Sequence, residues 1–183
     1  MILPEEFNEK WDVSKNGPLI KFNYEHLVDT DFSDEVKRFL SIGGLPETPA
    51  PYLEFISSQA LLKSITSILN IPEEFQKYWF LGSTGSGDPI CIIEKKENVV
   101  FLNNSDGYKE EFINSSLSQF AECLLVYSRM IDKAIQTNGE DAFINNDIPQ
   151  SVINWLREEL ERIDPKCMEK RCFWFTEIGN LYE

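Results

Sequence analysis

Histidine is nearly missing from this chain: His26 is the only one in 183 residues. Metallohydrolase centres built on two or more histidines are thereby excluded. A Ser-His or Cys-His catalytic pair would have to use His26, and no spacing around it supports one. Glu25, Asp29, Asp31 and Asp34 lie close by, but they do not make a calcium loop. Such a loop starting at Asp29 needs glycine at its sixth position and glutamate at its twelfth, where the chain has Asp34 and Leu40. The cluster reads as a solvated acidic patch leading into a helix.

Cations are scarce as well. Seventeen Lys and Arg stand against 31 Asp and Glu, for a formal net charge of −14. A surface of that sign repels nucleic acid and anionic membranes, and it draws basic partners from a distance. The basic residues are too few and too scattered for a nucleic-acid footprint. No apolar run reaches the roughly 18 residues of a membrane span. The opening "MILPEEFNEKWD" is acidic where a secretory leader is basic, so a cytoplasmic location is expected. Of four scattered cysteines, Cys91 and Cys123 fall on apolar faces and read as reduced core thiols. Cys167 and Cys172 lack the second pair or the histidines that a zinc site needs, and read as ordinary buried or half-buried thiols. No metal and no cofactor is expected.

A phosphate loop is missing too, although "WFLGSTGSGDPICI" (79–92) invites one. Gly82 and Gly87 are separated by four residues, as in the Walker A pattern, which then requires Lys and Ser or Thr. Here Asp88 and Pro89 follow. A carboxylate repels phosphate, and "ICII" reads as a strand where a P-loop needs a helix N-terminus. The dinucleotide pattern fails at Ile90. The stretch reads as a hairpin connection. Carboxylate pairs such as Glu110-Glu111 or Glu158-Glu159 arise by chance among 31 acids and assign no acid and base.

What is present is a folded chain, 42% apolar and 13% aromatic, of a length suited to one domain, 1–183. "FSDEVKRFLSIGGLP" reads as a short helix capped by Ser33, with Val36, Phe39 and Leu40 inward and a stop at Gly43 or Gly44. "ALLKSITSILN" fits helix or strand. "KYWFLG", "PICIIEK" and "NVVFLNN" read as an antiparallel meander over about 78–104. "ICII" and "VVFL" do not alternate with polar residues, so they belong at the centre of the sheet, covered on both faces. "NSDGYKEE" reads as a turn. A helix follows from about Ser116 to Gln136, with Leu117, Phe120, Leu124, Tyr127, Ile131 and Ile135 on one face and a capping box of Ser116 with Gln119. A second runs from Pro149 to Ile163 on Val152, Leu156, Leu160 and Ile163, ended by Asp164-Pro165. The tail "CFWFTEIGNLYE" is aromatic enough to dock on the core.

The order of these pieces resembles a known family. "GGLP" (43–46), "PYLEF" (51–55), "YWFLGSTGSGDPICIIEKKENVVFLNN" (78–104) and "FINSSLSQFAECLLVYSRM" (112–130) precede the closing "CFWFTEIGNLYE". In this order they are similar to the SUKH superfamily, specifically its fourth immunity-protein clade. The resemblance implies an α+β fold with a mostly antiparallel central sheet and N-terminal and C-terminal helices packed against it. It also implies a non-catalytic bacterial immunity protein that binds a cognate polymorphic toxin, often a nuclease. The recurrent positions Gly82, Gly87, Asn114, Ser115, Ser116, Leu117 and Phe120 are then structural.

The leading function is neutralisation of a toxin with a basic surface, with no nucleic acid or membrane partner. Candidate partner-binding residues are the acids around the meander: Asp88, Glu94, Glu97, Asp106, Glu110 and Glu111. One alternative is a housekeeping or regulatory interaction module of the same fold without a toxin. Another is a nucleotide-binding enzyme using the Gly82–Gly87 loop.

Overall fold

The computed structural model describes residues 1–55 and 61–182. Ala60, the first residue of "ALLKSITSILN", and Glu183, the last of the tail, lie outside the described residues.

The N-terminal part is a chain of short elements: α1 (Pro4–Lys10), α2 (Val13–Asn16), β1 (Leu19–Ile20), α3 (Tyr24–Leu27) and α4 (Asp34–Arg38). Ser33 caps α4 as read, accepting from the Val36 N–H at 3.3 Å. The helix then widens into a single π turn over Phe39–Gly43, closed by Gly44 N–H on the Phe39 carbonyl at 2.8 Å. The extra residue lets both Phe39 and Leu40 face the core. β2 (Leu45–Pro46) pairs back on β1.

A six-stranded antiparallel sheet follows: β3 (Leu53–Glu54), β4 (Lys63–Ser64), β5 (Tyr78–Thr84), β6 (Pro89–Ile93), β7 (Val99–Asn103) and β8 (Lys109–Asn114). Its order is β3-β5-β6-β7-β8, with β4 also on β5. β6 is central, and the two-sided burial read from "ICII" holds. Ile90 and Ile92 face the helices, while Cys91 and Ile93 face a second, smaller cluster with Ile65, Tyr78, Val100 and Leu102. The 3₁₀ turns at 65–67 and 73–75 cover that far side with Leu69, Ile71 and Phe75. Within "ALLKSITSILN", Lys63–Ser64 is a two-residue strand and Ile65–Ser67 a 3₁₀ turn. One reading is corrected: "KEE" of the supposed turn 104–111 forms the start of β8. An edge strand with one wet face carries charges there, which disguises it.

Three helices complete the fold: α5 (Leu117–Asn138), α6 (Gln150–Ile163) and α7 (Phe173–Asn180). The α6 stripe, Val152, Leu156, Leu160 and Ile163, is buried as read. The α5 face differs at its end, where Met130 and Ala134 go inside while Ile131 and Ile135 are half-buried. α5 is wedged between the sheet, α1 and α6, so more than one stripe of it is covered. The tail docks, with Trp174 fully buried 5.8 Å from the ring of Tyr127. No described helix is long and apolar enough to cross a membrane.

Candidate partner-binding surface

Antiparallel connection sends the 84–89 turn and the 103–109 loop to one end of the sheet, called here the loop end. The two are knitted together there. Asn104 donates its N–H to Asp88 Oδ1 at 2.8 Å and its Nδ2 to the Gly87 carbonyl at 2.8 Å. Within the turn, Thr84 N–H reaches the Asp88 carbonyl, Gly87 N–H the Thr84 carbonyl, and Asp88 N–H the Thr84 hydroxyl. Those N–H groups are thus engaged internally instead of lining a phosphate cradle, and a strand follows them.

The glycines have packing reasons. β5 carries a bulge between Phe80 and Gly82. A Cβ on Gly82 would stand 2.2 Å from the Glu54 carbonyl oxygen of β3, an impossible contact. One on Gly85 would meet Tyr52 at 3.0 Å. Gly87 turns the chain at φ +81, a region that favours glycine.

The candidate acids separate into two groups. Asp88 and Asp106 sit at the loop end, with Glu110 and Glu111 just below in β8. Glu94 and Glu97 belong to the turn at the opposite end, about 15 Å away by the length of a five-residue strand. Most are less free than exposed loop acids. Glu97 receives the Ser33 N–H at 2.5 Å and the Ser33 hydroxyl at 2.8 Å, pinning the start of α4 to the sheet. Glu110 accepts from the Tyr78 hydroxyl at 2.6 Å, and Glu111 from Asn103 Nδ2 at 2.9 Å. Burial first, then Glu110, pushes the Tyr78 phenol well above its ordinary value. Asp88, Glu94, Glu97 and Glu111 are half-buried, whereas Asp106 is exposed and pairs with Lys109 at 3.3 Å. Glu94 lines a groove of about 860 Å³ with Lys63, Lys77 and Trp79 among its other walls.

The "NSSL" junction is a buried polar node at that opposite end. Asp164, which the sequence offered only as a helix stop, is 2% exposed. It accepts from Asn114 Nδ2 at 3.1 Å, Ser115 N–H at 2.7 Å and Ser115 Oγ at 3.0 Å. Trp174 Nε1 donates to Asn114 Oδ1 at 2.8 Å. The node therefore joins β8, the end of α6 and α7. Ser116 caps α5 through the Gln119 N–H at 3.3 Å, but the reciprocal half of the capping box is absent. The Gln119 amide donates to the Ile163 carbonyl at 2.9 Å, closing α6 onto α5. Leu117 and Phe120 are core residues, Phe120 edge-on to Phe55. Cys123 and Cys167 lie together beneath the node, and burial chiefly, then Cys167, raises the Cys123 thiol. Among the described residues no group of His, Cys, Asp and Glu is arranged to hold a metal ion.

Sequence reading overlooked the apolar part of the loop end. Tyr52 and Ile144 project into solvent, separated by half-buried Phe143 and the prolines at 49 and 51. Their signal was a charge pattern: no Lys or Arg occurs from 39 to 62 or from 134 to 156, while both stretches hold acids. Nearby on α7, Glu177 is half-buried and, among the described residues, meets no cation. Burial lifts its carboxyl from 4.5 to about 7.

The fold is of the α+β class, a mostly antiparallel sheet flanked by N-terminal and C-terminal helices. The sequence profile of the SUKH-4 immunity protein family matches residues 11–178. The chain belongs to the SUKH-4 immunity protein family. Neither a search of curated proteins nor one of solved structures returned a match.

Proposed function

We propose that this chain neutralises a cognate toxin domain by non-catalytic binding, and that the toxin presents a basic surface, as nucleases do where they hold phosphates. Membership of an immunity-protein family carries the reading. The net charge of −14 supports the sign of the partner, because an acidic inhibitor is steered into a basic groove. The binding unit is the whole chain taken as one domain in the cytoplasm. A single apolar cluster running from Ile2 to Ile178 supports that unit.

Co-expression with the toxin encoded beside it tests the proposal. Growth is expected to be rescued and a stable complex to form in vitro. A toxin that kills equally well with and without this chain, and forms no complex, sinks the reading in favour of an interaction module with another role. The association rate is expected to fall at least about tenfold between low and high salt. A rate independent of salt removes steering and leaves binding to be explained by apolar contact.

A further inference from the structure

Tyr52 is 79% exposed and stands at φ 51, a left-handed conformation that bulky residues rarely adopt. A strained, outward aromatic persists only where its surroundings over-determine it. Here Leu53 N–H closes on the Pro49 carbonyl at 3.0 Å, and β3 pairs Leu53 with Thr84. The backbone of Gly85 lies directly beneath the tyrosine. The Cβ and carbonyl of Tyr52 rest against the glycine hairpin.

Ile144, 82% exposed, stands on the neighbouring 139–149 loop. Its predecessor Phe143 is anchored edge-on to buried Tyr127, with ring centres 6.4 Å apart. A groove of about 280 Å³ runs between the two loops, walled mainly by Pro49, Ala50, Pro51, Tyr52, Leu53 and Phe143. The exposed acids Glu47, Glu54, Glu140, Asp141 and Asp147 lie in the two cation-free stretches that supply its walls. Glu177 lies near Tyr127 on the same side, and its carboxylate and the Tyr52 phenol both add to the burial that holds the Tyr127 phenol above its ordinary value.

An apolar centre with a projecting tyrosine and a charged rim is the anatomy of a protein-protein contact. The two stretches that supply the groove carry acids and no cation, and Lys15, which lines an adjoining pocket with Thr48, Pro49 and Ala50, is paired with Asp132. We propose that the groove walled by Tyr52 and Phe143, with exposed Ile144 next in the chain to Phe143, is the seat of a basic protein partner, which inserts an apolar side chain between the two loops and sets Lys and Arg against the nearby carboxylates. The inference rests on the toxin-binding reading and deepens it by naming the surface. A second copy of this chain is disfavoured because it would bring the same anionic rim against itself.

The test measures affinity for the purified, catalytically inactivated toxin domain encoded beside this chain. Wild type is compared with Tyr52→Gly, Ile144→Ala and, in the distant groove, Lys63→Ala. Glycine keeps the backbone at position 52 unstrained, so thermal unfolding verifies that each variant folds. Tyr52→Gly is expected to weaken binding at least about 30-fold and Ile144→Ala about 3- to 10-fold. Lys63→Ala is expected to stay within about twofold of wild type. If wild type binds and both loop-end variants bind equally well, the groove is not the seat and the toxin-binding reading survives. If wild type does not bind, that reading fails and this one with it. A wild-type dimer that Tyr52→Gly converts to monomer assigns the groove to a second copy and overturns the proposal.

Discussion

The two ends of the sheet invert each other. At the node, polar side chains are buried and answered: Asp164 has three donors and Asn114 is satisfied on both sides of its amide. At the loop end, Tyr52 and Ile144 are exposed, and the acids of the 39–62 and 134–156 stretches have no Lys or Arg within those stretches. A buried, satisfied polar group specifies one arrangement of neighbouring elements. An exposed, unsatisfied surface is complete only with something added to it. On the proposed reading, the contrast separates where this chain is held together from where it would meet a partner.

Substitutions can break that contrast, beginning at the node. Asp164→Ala leaves the Ser115 N–H and hydroxyl and the Asn114 amide without their acceptor, so chemical denaturation should show a loss of about 3–4 kcal/mol. Gly82→Ala drives a methyl into the Glu54 carbonyl, and about 2–3 kcal/mol is expected to go as β3 is pushed from β5. Glu177→Gln gives a smaller effect with a pH signature. Its carboxyl is raised in the folded state, so the contribution to stability is full below pH 4.5 and is lost as pH rises through about 7. The glutamine variant should therefore match wild type near pH 4 and exceed it by about 1–2 kcal/mol at pH 8, after discount for partial exposure. A flat difference across that range would mean that Glu177 finds a cation in solution. Smallest of all, Tyr52→Gly should change stability by only about 0.5–1 kcal/mol, toward stabilisation, because an outward ring is lost and left-handed strain relieved. A loss above about 2 kcal/mol would place Tyr52 in the scaffold and erase the distinction between the ends.

Local chemistry made the central elements legible. Two-sided burial of β6 follows from four consecutive apolar residues, and α6 from apolar positions three and four apart. Ser33 and Ser116 both cap the helices they precede. The start of β8 was hidden because Glu110 and Glu111 belong to an edge strand, where charge is the usual defence against further pairing. The node was hidden for a different reason. Asn114 and Asp164 are fifty residues apart, and nothing near Asp164 distinguishes a buried acceptor from the acid of an Asp-Pro helix stop. The same holds for the loop end, where Tyr52 and Ile144 come from segments that only the fold brings together. The glycine hairpin lies between these cases: its turn was readable, but the tyrosine above Gly85 was not.

That missing methyl has a mechanical consequence. A side chain at position 85 would press on the Cβ and carbonyl oxygen of Tyr52 at 3.0–3.1 Å, tight enough that the base of the tyrosine must give by a few tenths of an ångström. Gly85 thus works as a shim. It sets where the base of the tyrosine rests, so on the proposed reading the fit to a partner could be retuned from beneath.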